Sequence, residues 1–215
     1  CIATSGPGAT NLVTGIATAY MDSIPMVAIT GNVNRNLLGK SSFQEVDIAA
    51  ITAPVTKKSL IVMDIADLAD AIRDAFYVAN KGRKGPVLID IPKDITALTY
   101  DFERKPLKEQ KHNFDHNEKQ FKKAVELLLK SERPFLYAGG GVVASEAEKE
   151  FADFAEKFDA PVSASLMCQG AYDQKLPRYL GMLGMHGTKV SSMALKECDL
   201  FIAVGSRFSD RVTCD

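Results

Sequence analysis

The stretch Thr4-Ser5-Gly6-Pro7-Gly8-Ala9-Thr10-Asn11 decides which fold this sequence predicts. It follows Cys1-Ile2-Ala3-Thr4, which is typical of the end of a buried strand, and it precedes residues 12–21, where we expect a helix capped by Thr10 or Asn11. Glycine allows positive φ and close approach of a ligand to the backbone, and a helix N-terminus offers unpaired N–H groups. The spacing alone is equally consistent with an ordinary strand-to-helix turn.

Continuous apolar runs predict a parallel sheet after this turn. Residues 26–30 and 86–92 lack the alternation of a half-exposed strand, so both runs fit strands that are covered on both faces. Residues 55–62 predict a further strand, and residues 64–80 have the spacing of an amphipathic helix. We therefore assign residues 1–97 to a first α/β domain.

The composition changes at residues 98–117, where charged and polar side chains dominate without any period, so we interpret this stretch as an interdomain linker. Residues 118–215 then form a second domain of alternating helices and strands. One of its helices is predicted to begin at a capping box, Ser145-Glu146-Ala147-Glu148. The sequence thus predicts an α/β protein with two parallel-sheet domains.

The bulk properties exclude several classes of protein. The net charge is -1, which does not favour nucleic acid or an anionic membrane surface as a partner, and no apolar run approaches the roughly 20 residues of a membrane span. The 4 cysteines lack a C-x-x-C pair and fit small buried hydrophobes in a reduced, cytoplasmic protein. Because the chain opens inside a predicted strand without Met, we expect an internal fragment of a longer polypeptide, which is organellar if a transit peptide was removed.

Four glycine-bearing or polar stretches of the second domain follow predicted strands, where α/β sheets bind ligands. They are Gly139-Gly140-Gly141, Ser165-Leu166-Met167, Met185-His186-Gly187 and Gly205-Ser206-Arg207. Glycine turns beside a basic residue suit a diphosphate, but none of these is a G-x-G-x-x-G fingerprint or a P-loop, and Gly139-Gly140-Gly141 taken singly also fits a plain strand-to-helix turn. No three side chains have the spacing of a metal site. The residues by themselves predict a phosphorylated cofactor.

Three further features each allow two interpretations. Arg207 and Arg211 flank Asp210, which fits a surface ion pair or an anion site, because arginine grips phosphate or carboxylate with two bonds. His186 is either a packed residue or a catalyst, and Gln44 is either a loop residue or a ligand contact.

Taken together, the motifs resemble those of a known family. Ser5-Gly6-Pro7-Gly8-Ala9-Thr10-Asn11 and the segment 22–31 are similar to the pyrimidine-binding domain of thiamine-diphosphate enzymes. Phe43-Gln44-Glu45, Pro92-Lys93-Asp94-Ile95 and the segments 183–187 and 207–213 resemble the large catalytic subunit of acetolactate synthase (acetohydroxyacid synthase). The resemblance covers nearly the whole chain except the linker.

The resemblance implies an activity and a set of partners. The full-length enzyme would use thiamine diphosphate to decarboxylate pyruvate and join the two-carbon unit to a second 2-keto acid, in the biosynthesis of branched-chain amino acids. Residues 1–97 would be part of the thiamine-pyrimidine-binding domain and residues 118–215 part of a Rossmann-like central FAD-binding domain. A homodimer or homotetramer, a small regulatory subunit, and Mg²⁺ bound outside this chain are also implied. The family's catalytic glutamate would lie upstream and its diphosphate domain downstream, so we expect the fragment alone to be inactive.

The resemblance also implies roles for individual residues. Contacts near the aminopyrimidine or the substrate would come from Pro7, Gly8, Asn11 and Gln44. The catalytic set would be Gln44, Lys93 and Arg211, with Arg211 holding the carboxylate of the second keto acid. The substrate channel would be lined by Phe43, Lys93, Met185, Asp210 and Arg211. A structural, redox-inactive FAD would be contacted by Leu166, Met167, Met185, His186, Gly187, Thr188, Gly205, Ser206 and Arg207.

The sequence departs from the family pattern in places, and it leaves alternatives open. Ser209 stands where the family usually has Asp, Cys214 stands where it has Gly, and no linker residue matches the arginine that usually touches the flavin. The alternatives are a glyoxylate carboligase or flavin-free catabolic acetolactate synthase, a non-catalytic nucleotide-binding module, and a flavin oxidoreductase. The sequence shows no hydride-accepting site for the last of these.

Overall fold

The computed structural model describes residues 1–106 and 117–213 and divides the chain into two compact units, Cys1–His112 and Asn113–Asp215. Each unit contains a four-stranded sheet whose strand pairs are all parallel, flanked by helices. The predicted class, α/β with two parallel sheets, is therefore confirmed. The predicted limits of the domains and the linker stay a prediction, and residues 107–116, 214 and 215 lie outside the described residues.

The first unit has the sheet order β1-β2-β4-β3. Its strands are β1 Ile2–Ala3, β2 Met26–Asn32, β3 Lys58–Ile61 and β4 Pro86–Pro92. Its helices are α1 Pro7–Asn11, α2 Val13–Asp22, α3 Ile48–Thr52, α4 Ile65–Asn80 and α5 Lys93–Thr96, with short 3₁₀ turns at Arg35–Leu37 and Ala53–Val55.

The central strand β4 is buried along its entire length, as its apolar run, interrupted only by Asp90, predicts. Leu88 points into a cluster with Ala9, Ile16 and Ile48 on one face of the sheet. Alternate residues of β4, such as Ile89, point to the other face and pack against α4. Because β1, β2 and β4 are parallel neighbours, the segments that follow them emerge at one edge of the sheet.

The second unit has the sheet order β7-β6-β5-β8. Its strands are β5 Pro134–Ala138, β6 Val162–Ala164, β7 Tyr179–Met182 and β8 Leu200–Val204. Its helices are α6 Glu118–Lys130, α7 Gly140–Ala144, α8 Glu148–Lys157, α9 Lys189–Glu197 and α10 Asp210–Thr213, with a 3₁₀ turn at Leu166–Cys168. Phe151 and Tyr172 anchor the core on one face of this sheet, and Phe135 and Tyr137 on the other.

Several details of the first unit correct the sequence prediction. The helix begins at Pro7, inside the turn, because Gly6 at φ 60° and ψ -117° lets the chain reverse and proline favours the first helical turn. The predicted capping by Thr10 or Asn11 is wrong, since α2 follows Leu12 without a side-chain cap. The first strand is not buried either, because β1 pairs on one side only and Ile2 is 80% exposed.

The second unit also differs from the sequence prediction in several details. The predicted capping box is wrong, because Ser145 ends the unpredicted helix α7 and Ala147 precedes α8 without a side-chain cap. Strand β7 was not predicted, because glycine and proline surround its residues in the sequence. The apolar stripe of α6 is present, but no residue of that helix is buried. Cys168 is buried, whereas Cys1 is exposed and Cys198 is only half-buried, so the general expectation of buried cysteines holds for Cys168 alone among the described cysteines.

Candidate functional site

The loop between β2 and α3 lies directly against the turn after β1. A Cβ atom added to Gly6 would lie 2.9 Å from both Cβ and the carbonyl oxygen of Gln44, so the glycine leaves room for the neighbouring loop. Gln44 itself has a left-handed backbone, with φ 60°. The structure thus brings the two sequence-predicted motifs of the first unit into contact, although Gly6 and Gln44 are far apart in the sequence.

The predicted ligand-facing residues of this unit remain accessible. Pro7, Asn11 and Gln44 are exposed, and Gly8 is half-buried against the Thr4 side chain. Phe43 is 88% exposed, which is unusual for an aromatic ring at the end of a buried sheet.

The side chain of Glu45 holds the same loop together through hydrogen bonds to its backbone. Its two carboxylate oxygens accept hydrogen bonds from the backbone N–H groups of Gly39 and Ser42, the latter at 2.8 Å. These backbone donors, Ser42 first, lower the pKa of the Glu45 carboxyl below its ordinary value. The carboxylate therefore ties together a loop that contains left-handed residues at Gly39, Ser41 and Gln44.

A second clamp joins three strand ends. Asp94 accepts from the Arg35 backbone N–H at 2.9 Å and from Arg35 Nε at 2.6 Å, while Arg35 Nη1 donates to the Met63 carbonyl at 2.8 Å. The Arg35 side chain lowers the pKa of the Asp94 carboxyl. Lys93, the neighbour of Asp94, is exposed at the start of α5. The clamp therefore fixes the backbone from which Lys93 projects.

Sequence reasoning missed a buried carboxylate beneath these loops. Asp90 on β4 is fully buried and accepts from Thr30 Oγ1 at 2.6 Å and from Asn32 Nδ2 at 2.5 Å. Burial raises the pKa of Asp90, and the two hydrogen bonds oppose that rise. Asn32 Nδ2 also reaches the Val46 carbonyl, at 3.4 Å. A polar residue within the otherwise apolar run of β4 is the signal that could have revealed this cluster.

In the second unit, the glycine turns after β5 and β8 pack against each other. The Gly141 N–H donates to the Gly205 carbonyl at 2.8 Å, and a Cβ atom on Gly141 would lie 2.7 Å from Gly205 Cα. A Cβ atom on Gly139 would overlap the backbone of Ser206. Gly139 and Gly141 are therefore required for backbone packing, and this supports the interpretation of Gly139-Gly140-Gly141 as a plain turn.

The residues predicted to bind FAD follow three strands of this sheet, two of them neighbours and the third on the other side of β5. They lie after β6 (Leu166, Met167), after β7 (Met185, His186, Gly187, Thr188) and after β8 (Gly205, Ser206, Arg207). Leu166 is 72% and Met185 is 62% exposed, so these long apolar side chains project outward. The Thr188 hydroxyl already caps α9 by accepting from the Ser191 N–H, and it donates to the Leu180 carbonyl. Its hydroxyl therefore has a structural task within the fold.

The predicted channel residues are divided between the units. Phe43 and Lys93 belong to the first unit. In the second unit, the Met185 N–H donates to the Arg211 carbonyl at 2.7 Å, so the loop after β7 and helix α10 are directly connected. Within the described residues, no ion pair joins Asp210 to Arg207 or Arg211, and both arginine side chains are exposed.

Unpartnered hydroxyls surround the carboxyl end of β5. Tyr137 Oη, Ser165 Oγ and Ser206 Oγ are all shielded from solvent and make no hydrogen bond of normal geometry. Burial raises the pKa of the Tyr137 phenol, and the nearby Ser165 hydroxyl offsets part of that rise. Buried polar atoms normally have partners, so three orphans beside the glycine turns indicate a place where a polar ligand or water completes the site. The residues present therefore fit a bound cofactor such as FAD.

A cavity of about 420 Å³ opens on the α7–α8 side of the same glycine turns. It is lined by Gly141, Val142, Ser145, Ala147, Glu150, Phe151, Phe154, Val204 and Gly205. Only Gly205 belongs to the predicted flavin set. Across residues 1–106 and 117–213, no cluster of His, Cys, Asp or Glu could hold a metal ion, so no residue of the described chain is assigned to Mg²⁺. Among the described helices, none has the length and apolarity that a membrane crossing requires.

Comparison with known proteins identifies the class. The N-terminal TPP-binding domain of thiamine pyrophosphate enzymes matches residues 1–51, and the central domain of thiamine pyrophosphate enzymes matches residues 121–215. The turn at Gly6 lies in the first match and the glycine turns of the second sheet lie in the other. The chain belongs to the thiamine pyrophosphate enzyme family.

Within that family, the chain is similar to large subunits of acetolactate synthase. It is 47% identical to the acetolactate synthase large subunit of Cyanidium caldarium over 99% of this chain and 38% of the relative. It is 48% identical to the isozyme 2 large subunit of Escherichia coli, over 99% of this chain and 39% of that protein. The large subunit of Corynebacterium glutamicum is also 48% identical, over 100% of this chain. The chain thus spans less than two fifths of the length of these relatives.

Proposed function

We propose that this chain is part of a thiamine-diphosphate-dependent acetolactate synthase. The enzyme decarboxylates pyruvate and joins the two-carbon unit to a second 2-keto acid, giving acetolactate or acetohydroxybutyrate. One observation carries the proposal: the identity of 46–48% to several acetolactate synthase large subunits extends over 99–100% of this chain.

The first unit supplies the side chains that orient the pyrimidine half of thiamine diphosphate. Pro7, Gly8, Asn11 and Gln44 lie on or against the turn after β1, and they are accessible to a ligand. When bound, the cofactor supplies the electron sink for decarboxylation. The protein positions it and the substrates, with Phe43 and Lys93 lining the approach from this unit.

The second unit holds FAD in a structural role. The flavin set at the ends of β6, β7 and β8 offers outward apolar side chains, and the orphan hydroxyls of Ser165 and Ser206 offer polar partners. Arg211 holds the carboxylate of the second keto acid, since its guanidinium is exposed and has no ion-pair partner among the described residues. Met185 and Asp210 complete this side of the channel.

The assembly is also part of the proposal. The relatives are named large subunits, and by analogy the complete protein forms a homodimer or homotetramer and binds a small regulatory subunit. Mg²⁺ is held outside this chain. A cytoplasmic or organellar location remains a prediction from the sequence.

The deciding experiment uses the protein in its full native length. It is incubated with pyruvate, thiamine diphosphate and Mg²⁺, with and without FAD, and acetolactate is measured. Acetolactate that depends on FAD supports the proposal, acetolactate without FAD moves the protein to the flavin-free branch, and the absence of acetolactate contradicts it.

Arg211→Ala tests the substrate assignment in the same protein. We expect a rise in KM for the second keto acid with thiamine diphosphate affinity retained, because only the carboxylate contact is lost. An unchanged dependence of product yield on the second keto acid would remove Arg211 from the channel.

A further inference from the structure

Resting on the proposed function, we propose that Glu45 is a positioning residue, whose carboxylate fastens the loop 39–45 and thereby holds Gln44 and Phe43 in place for the cofactor and substrate. Neither the sequence motifs nor the family comparisons assign Glu45 a task. The proposal follows from the contacts of its side chain.

The loop 39–45 adopts a backbone conformation that its residues do not favour by themselves. Ser41 and Gln44 both have positive φ, at 55° and 60°, which costs free energy for residues that carry a Cβ atom. Gly39, at φ 75°, adds a third left-handed position. A loop of this kind needs contacts that hold it in one conformation.

Glu45 provides those contacts with both oxygens. One oxygen accepts from the Gly39 N–H and the other from the Ser42 N–H at 2.8 Å. The Ser42 side chain in turn donates to the Leu37 carbonyl at 3.0 Å. Hydrogen bonds to a charged carboxylate are stronger than hydrogen bonds between neutral groups, so the carboxylate fastens the loop at Gly39 and at Ser42.

The closed loop delivers Gln44 to the turn after β1. Because Gly6 has no side chain, Gln44 lies directly against it, and a loosened loop would let Gln44 move away. Phe43, immediately before it, is held outward rather than packed in the core. Glu45 therefore acts on the site indirectly, because it holds the loop that carries Gln44 and Phe43.

The test compares Glu45→Gln with a matched carboxylate in the other unit. Glutamine keeps the size of the side chain, but its NH₂ group faces one of the two N–H donors, so one hydrogen bond becomes a repulsion. The control is Asp199→Asn. Asp199 also accepts from two backbone N–H groups, of Glu132 at 2.8 Å and Arg133 at 3.0 Å, but at the opposite, amino end of its sheet.

In the full-length protein, we expect Glu45→Gln to weaken thiamine diphosphate binding by about tenfold, measured by calorimetry with Mg²⁺, and to raise its KM more than it lowers kcat. Asp199→Asn lowers the thermal midpoint without changing either constant. The Gly39 and Ser42 amides exchange hydrogen faster in Glu45→Gln, even without cofactor. A combined Glu45→Gln and Gln44→Ala variant loses less affinity than the sum of the two single losses.

The outcomes separate this inference from the function on which it rests. If the wild-type protein binds thiamine diphosphate and forms acetolactate, but Glu45→Gln behaves like Asp199→Asn, the positioning role is overturned and the function stands. If the Gly39 and Ser42 amides are unaffected, the carboxylate does not hold the loop and the inference fails as well. If the wild-type protein neither binds the cofactor nor forms acetolactate, both proposals fail.

Discussion

The backbone N–H of Met185 donates a hydrogen bond of 2.7 Å to the carbonyl of Arg211. Two proposed channel residues, on segments that follow different strands, are thus fastened to each other through the main chain. The contact depends on Gly184, which has φ 105° and lies so close to Arg211 that a Cβ atom would overlap the Arg211 carbonyl oxygen.

Gly184→Ala should break this connection. We expect a lower free energy of unfolding and a raised KM for the second keto acid, because the added methyl group displaces α10 and the Arg211 side chain with it. Gly170→Ala is the control, since Gly170 also has positive φ, 89°, but faces open space. Both variants are compared by thermal unfolding and steady-state kinetics. Both carry the strain of alanine at positive φ, but only Gly184→Ala adds a steric clash with Arg211. Equal losses of stability and equal KM values in the two variants would contradict the prediction.

Gly6→Ala should disturb the site of the first unit. The added Cβ atom would meet Gln44 at 2.9 Å, which is closer than real Cβ contacts, so the loop must move. We expect thiamine diphosphate affinity to fall about tenfold or more. Gly82→Ala is the matched control, because its φ of 61° gives a similar strain with no neighbour within 4 Å, and it should lose stability while retaining affinity. Retained affinity in Gly6→Ala would refute the prediction.

Tyr137→Phe should stabilise the protein in the absence of flavin. Its hydroxyl is buried and makes no hydrogen bond of normal geometry, so its removal relieves a poorly satisfied polar group and gains about 1 kcal/mol in the free energy of unfolding. Ser163→Ala makes the contrast, because the Ser163 hydroxyl pairs with Ser191 Oγ at 2.7 Å, and its loss leaves a buried partner unsatisfied at a cost of about 1 kcal/mol or more. Urea denaturation of both variants measures the difference, and a loss of stability in Tyr137→Phe would show a partner for that hydroxyl.

Stability should fall in acid, partly through Asp199. Its hydrogen bonds from Ser131, Glu132 and Arg133 lower the pKa of its carboxyl below the ordinary value of 3.8. A carboxyl with a lowered folded-state pKa contributes stability above the unfolded pKa and loses it as the pH falls through the folded pKa. The difference in free energy of unfolding between the wild type and Asp199→Asn should therefore be full at pH 7 and shrink below about pH 4. A difference that is the same at pH 7 and pH 3 would contradict this.

Asp90 shows why parts of the site could not be predicted. Its position in an apolar run is visible in the sequence, but its partners Thr30 and Asn32 come from β2, and only the parallel register Thr30↔Asp90 brings them together. The same holds for the contact of Gly6 with Gln44. The helix start at Pro7 and the failed capping box at Ser145 were missed for a different reason. Gly6 and Pro7 let the helix begin inside the turn, and Ser145 ends α7 instead of opening α8.

Periodicity and apolar runs alone determined the alternation of strands and helices and the parallel character of both sheets. These features follow from local propensity and from the need to bury one continuous apolar strand such as β4 on both faces. The tertiary structure decided which loops touch, which glycines face backbone rather than solvent, and which carboxylates are buried. Those outcomes depend on strand order and register, because residues distant in sequence come within hydrogen-bond reach only when neighbouring strands fix their spacing.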